Sequence, residues 1–369
     1  MESCKQPDLD NALHFEKTRG QYDSDFGDTD SELIPGLPHD IGILCLARVP
    51  RRDHQLLKCV SKKWRDFISS ELYFYRQRLG IADGWIYAVC RDSSECVHCY
   101  VLDPARRKWK KLPGLPYACS KRFGMTCEVL GRKLYLLGGC GWTEDATNEV
   151  YCYDPLLNKW ENVANMETAR FHFVSGASDG CLYAIGGMGS NSEALTSWET
   201  YDSEANKWTS HEDLNILPDL GESLAFDSRI YIRHISTNVF PATYAAVYDT
   251  SNDVWSPVDN EMTMNWCGPA IVVGDDVYML DQTAGIKLMM LDKENQSWVS
   301  VGRISTYLIK TPCRITAIGN TLFVIGRGLQ TLMLDLDKVG RVKGTLMTTS
   351  IPGLDSVDDI IVSCKTIAI

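Results

Sequence analysis

The sequence has no run of eighteen or more apolar residues and no charged-then-apolar leader. Neither a membrane-spanning helix nor a secretory signal is therefore expected. Histidine is scarce: seven in 369 residues, dispersed at 14, 39, 54, 98, 172, 211 and 234. Positive charge is in deficit, with 37 Lys and Arg against 48 Asp and Glu and a net charge of −11. That balance argues against a nucleic-acid surface. Cysteine is plentiful at fourteen, but a compact pairing framework is lacking. Cys127, Cys152, Cys181 and Cys364 stand singly inside strand-like runs. Scattered thiols suit a reducing compartment, so a cytoplasmic or nuclear protein is expected. The one concentration, "CRDSSECVHC", holds Cys90, Cys96, His98 and Cys99. These are zinc-ligand types, but no second pair at metal spacing answers them. A reduced hairpin loop is the expected reading, with no metal and no cofactor.

What is abundant is repetition. "LYLLGGCGWTEDATNEVYCYDPLLNKW" begins at residue 134, and "LYAIGGMGSNSEALTSWETYDSEANKW" follows 48 residues later. The same beat runs through Tyr87, Tyr135, Tyr183, Tyr231, Tyr278 and Phe323, with steps of 48, 48, 48, 47 and 45. Asp103, Asp154, Asp202, Asp249, Asp292 and Asp335 form a second series. Trp109, Trp160, Trp208, Trp255 and Trp298 each stand six residues beyond the first five aspartates, and Arg341 replaces the sixth. Within a unit, apolar runs are split by Gly or Asp turns, the signature of antiparallel strands. Four strands in about 45 residues is one blade of a β-propeller. The glycines open backbone conformations closed to other residues. The Asp bonds its own turn, and the Trp fills the wedge between twisted blades.

The double glycine, the Tyr and the spaced Trp resemble the kelch repeat. The second and third units carry the full set; the others keep the Asp–Trp spacing but lose the glycines, as at Arg233–His234 and Asp281–Gln282. An all-β, six-bladed kelch-type propeller over residues 85–369 is expected. The first unit lacks an innermost strand, and "DDIIVSCKTIAI" at 358–369 is left over. That segment is expected to close the ring by completing the first blade, removing two open sheet edges.

Residues 1–32 read as a disordered acidic tail: the first thirty hold eight acids against Lys5, Lys17 and Arg19. Residues 33–78 differ in kind. Leu37, Ile41 and Leu44 follow helical spacing around Pro38, and Leu56, Val60 and Trp64 recur at steps of four. So short a segment has more large apolar side chains than it can bury alone, which implies a partner protein. The Leu37–Pro38 opening and the "CVSKKWRDFI" finish resemble an F-box, a small all-α module. F-box followed by kelch repeats is similar to a family of plant F-box/kelch proteins.

The resemblance implies a non-catalytic substrate receptor of an SCF-type (Skp–cullin–F-box) E3 ubiquitin ligase. Leu37, Pro38, Ile41, Leu44, Leu56, Val60 and Trp64 would meet a Skp-type adaptor, and the propeller would hold an unknown protein target. Trp142, Trp198 and Trp266 lie off the blade motif, and Arg122, Arg170 and Lys310 each precede a landmark aromatic by thirteen residues. All six are expected on one propeller face, the first two in loops between second and third strands and the basic three at the channel mouth, as the target site. Two other classes remain: an interaction scaffold without a ligase, and a galactose-oxidase-like metalloenzyme, which the dispersed histidines disfavour.

Overall fold

The computed structural model describes residues 32–212, 216, 220–234, 245–258, 261–336, 342–347 and 359–369. Residues 1–31 of the acidic tail, Arg341 and residue 358 lie outside that set. The chain divides between Ile81 and Ala82 into two compact units.

The first unit is helical: α1 (His39–Ala47), α2 (His54–Leu57), α3 (Lys62–Ser70) and α4 (Leu72–Arg78). Pro38 precedes α1, where a missing N–H costs nothing. Ser61 caps α3, its hydroxyl accepting from the Trp64 amide at 3.1 Å. Ile43, Leu46 and Ala47 of α1 pack against Phe67, Ile68 and Leu72. Buried Arg76 ties the unit together by donating to the carbonyls of Ala47, Val49 and Ile81.

The second unit is a six-bladed propeller of four-stranded antiparallel sheets. Blade two shows the pattern: Thr126–Leu130, Lys133–Leu137, Val150–Asp154 and Lys159–Asn162 from channel to rim. Blade one is assembled from both ends of the unit. Its innermost strand, Ile360–Ala368, pairs antiparallel with Gly84–Arg91, followed outward by Val97–Asp103 and Lys108–Lys111.

The repeated side chains explain the repeated shape. In five blades the aspartate accepts two backbone amides of the turn between third and fourth strands: Asp154 from Leu156 and Leu157, Asp202 from Glu204 and Ala205. Asp103, Asp249 and Asp292 do the same. Four of the five blade tryptophans bond to the blade or connection before them, while the Nε1 of Trp255 is buried without a partner among the described residues. Trp160 donates to the Pro113 carbonyl, Trp208 to Ala164, and Trp298 to Met262. Trp109 closes the circle, reaching Thr331 of blade six at 3.3 Å. A large apolar body with one polar edge suits this wedge.

The paired glycines let loops of adjacent blades touch. Gly138 has φ +59, and a Cβ there would sit 2.4 Å from the Arg170 carbonyl. At Gly187, φ +85, a Cβ would lie 2.5 Å from that of Phe173. No other residue fits either position without displacing the next blade at Gly138 or the entry to its own blade at Gly187. Loops between second and third strands emerge on the same face as the connections between blades, so these contacts build one end of the propeller.

Candidate functional site

Two surfaces present side chains that the fold does not use. The first is on the helical unit. Its helix α1 is apolar around most of its circumference: Ile43, Leu46 and Ala47 point inward, while Ile41, Leu44 and Cys45 lie on the other flank. A helix of that kind belongs inside a larger core. Ile41, Leu56 and Val60 are 41%, 71% and 61% exposed. Leu37 and Leu44 are half-buried, and Pro38 is exposed at the entry to α1. Trp64 lies deeper, its indole packed on the module's own core and its Nε1 donating to the Leu33 carbonyl at 2.6 Å. It holds the arm ahead of α1 in place under the surface. Nine basic residues against four acidic ones between 33 and 81 give this module a positive character within an acidic chain.

The second surface is the propeller end carrying the inter-blade loops. A cavity of about 500 Å³ opens along the channel, lined by the first residues of the inner strands. At its rim, Phe123 packs against Trp142 at 5.3 Å between ring centroids, against His172 at 5.9 Å and against Phe171 at 6.2 Å. Trp142 is 71% exposed, Tyr117 87% and Tyr307 99%, all on loops of this face. Lys310 is exposed on the same face, in the connection between blades five and six.

The other four expected target residues sit elsewhere. Trp198 is not in a loop. It belongs to the third strand of blade three, Ser197–Asp202, buried with its ring stacked on His211 at 4.2 Å and tilted against Tyr248 at 4.6 Å. Trp266 is buried beside Met262 and Met279, its Nε1 donating to the Gly268 carbonyl. Neither ring has surface to offer a target.

Arg170 and Arg122 turn away from the channel mouth, into their own blades. Arg170 pairs with Glu199 at 2.8 Å, both side chains fully buried. It also donates to the carbonyls of Gly186 and Ser197. Burial is the main influence on its pKa and lowers it, while Glu199 acts the other way. Arg122 makes the matching pair with Glu149 at 2.6 Å. That bond, the largest influence on Glu149, holds its carboxyl below the usual range. Both arginines thus fix loops from beneath.

The mouth instead presents Arg91, Phe123 and His172, which sequence spacing did not single out. A signal existed: Arg122–Phe123 and Arg170–Phe171 recur 48 residues apart, so each motif arginine carries a rim aromatic behind it. Desolvation, with the Arg91 charge second, lowers the His172 pKa, so its ring is neutral at pH 7. No group of three or more His, Cys, Asp or Glu among the described residues is placed to hold a metal ion. Cys90 pairs with His98 across a hairpin while Val89 pairs with Cys99, so Cys90 and Cys99 face opposite sides of the sheet.

Comparison with known proteins follows the same division. Residues 34–75 match the F-box domain, and residues 121–167 and 169–213 match the Kelch motif. The chain is 42% identical over 348 residues to the F-box/kelch-repeat protein SKIP4 of Arabidopsis thaliana, across 93% of this chain and 96% of that one. The chain belongs to the F-box/kelch-repeat proteins. The F-box protein AFR of Arabidopsis thaliana is 28% identical over 80% of this chain and 82% of its own. A solved structure titled "Structure of YjhT" covers 70% of this chain and 97% of its own, with a TM-score of 0.52 and 13% identity. At that identity it shares the propeller fold alone. The two Kelch motif matches fall on blades two and three, where both glycine pairs are intact.

Proposed function

We propose that this F-box/kelch-repeat protein is the substrate-recognition subunit of an SCF-type E3 ubiquitin ligase. The F-box docks on a Skp-type adaptor, and the propeller holds a target protein within reach of the ligase's charged E2. The observation that carries this reading is the bare apolar flank of the F-box. Ile41, Leu56 and Val60 are exposed on a module already packed on its other side. The contribution of the chain is proximity: holding target and E2 in one assembly makes ubiquitin transfer effectively intramolecular. No catalytic group is assigned to it.

Leu56→Asp with Val60→Asp tests the docking half. Both side chains are outside the F-box core, so melting of the variant should match the wild type. Truncating an interface anchor commonly costs about 2 kcal/mol or more, and a buried carboxylate costs further. Capture of a purified Skp-type adaptor should therefore fall below detection. Undiminished capture by the folded variant would overturn the reading and leave an interaction scaffold.

A further inference from the structure

The basic side chains lining the channel differ in how fully they are answered. Arg314 donates to Glu222 at 3.0 Å and to the Val362 carbonyl at 2.7 Å. Lys365 donates to Glu128 at 2.7 Å. Arg91, at the mouth, has weaker contacts. Its ion pair with Glu95 is 3.4 Å long, to a half-exposed carboxylate four residues on. Its Nη2 lies 3.4 Å from the Arg122 carbonyl, and its Nε is buried with no partner among the described residues. A guanidinium forms its strongest contacts two at a time with a planar carboxylate. Here the guanidinium makes only single, long contacts, with Glu95 as a placeholder, beside a neutral His172 and the Phe123–Trp142 ledge.

Resting on the receptor role proposed above, we infer that the channel mouth reads an acidic side chain of the target, Asp or Glu, carried next to a large apolar or aromatic residue. Arg91 receives the carboxylate in place of Glu95, and Phe123 and Trp142 receive the apolar neighbour. The charge count favours a carboxylate over a phosphoryl group. A phosphoryl group brings a charge of about −2, whereas Glu222 and Glu128 already neutralise the other two lining cations.

The test is a positional-scanning library of N-acetylated octapeptide amides, one residue fixed per pool, bound to the full chain. Pools with fixed Asp or Glu should be selected over fixed Gln and fixed phosphoserine, with aromatic or large aliphatic residues preferred beside them. Arg91→Gln should weaken binding of the best acidic peptide about ten-fold or more, the scale of a charge-assisted hydrogen bond. Arg91→Lys, which keeps the charge but loses the fork, should fall between. Glu95→Gln should strengthen binding, because the placeholder is gone; a purely structural Arg91–Glu95 pair would give no gain. Trp142→Ala should flatten the apolar preference and keep the acidic one.

Selection of lysine or phosphoserine pools, a flat profile, or acidic selection unchanged in a normally melting Arg91→Gln chain overturns the inference. Adaptor capture is measured on the same preparations. Capture without acidic selection ends this inference and spares the receptor role, and acidic selection without capture does the reverse.

Discussion

Arg170 ends against Glu199 at 2.8 Å with neither side chain reaching water, while forty-eight residues earlier Arg122 meets a Glu149 that is one-third exposed. The two locks do one task, pinning the loop that follows the glycine pair, in different dielectrics. Removing one partner of a buried pair strands the other charge, at a cost of about 3–5 kcal/mol. Glu199 would also be left answering two backbone amides, those of Glu167 and Thr168, without its counter-ion. Arg170→Met should therefore lower stability in urea by that order, and Glu199→Gln in the Arg170→Met background should recover part of the loss. In Arg122→Met the exposed Glu149 can hydrate, and screening limits what its pair contributes. The loss there should be well under half as large. Equal losses would show that burial does not govern the difference. Spacing located both arginines as a matched set, but not their direction. A period in sequence gives equivalent positions, and the depth of each is set by the loop that closes over it.

The strand Ile360–Ala368 is the element on which ring closure depends. It pairs along Gly84–Arg91 and is clamped beyond its end by two mutual backbone bonds between Asp83 and Ile369. It also supplies Lys365 to Glu128 of blade two, and Thr316 of blade six shares a hydroxyl contact with its Thr366. Deleting residues 359–369 would leave Gly84–Arg91 as a long apolar edge facing an empty channel side, a template for aggregation. The truncated chain should be recovered mainly in the insoluble fraction, and any soluble remainder should be cut by protease far faster than the full chain. Soluble protein with unchanged melting would show that closure is dispensable. Much of this architecture was legible in the sequence, because five of the six blades repeat Asp and Trp at a fixed interval and each has one geometric task. The rim was less legible. Trp142 stands three residues after its glycine pair and is exposed, whereas Trp198 stands eleven after its own and is a strand residue in the core. Blade two begins its third strand at Val150, 48 residues before Trp198, so the repeat aligns Trp198 with a buried strand position and Trp142 with Ser190 of the Ser190–Ser192 turn. The repeat register separates the two tryptophans; what the sequence did not mark is where the loop gives way to the third strand.

At the scale of the whole molecule, two exposed surfaces with unlike chemistry lie on separate compact units. One is a basic module with a bare aliphatic flank, the other an aromatic rim beside the weakly paired guanidinium of Arg91. If the chain works by proximity, both must be intact on the same copy, since neither surface contributes to transfer unless the other is engaged. This gives a prediction about mixtures. In a reconstituted ubiquitination assay on a target retrieved by the wild-type chain, Leu56→Asp/Val60→Asp should lose activity through the adaptor while still binding the target. Trp142→Ala/Tyr307→Ala should lose activity through the target while still binding the adaptor. All four side chains are exposed, so both variants should melt as the wild type does. An equimolar mixture of the two should remain inactive, because no single chain bridges adaptor and target. Restored activity in the mixture would mean that one copy can lend its surface to another. The unit of function would then be an oligomer rather than the single bridging chain.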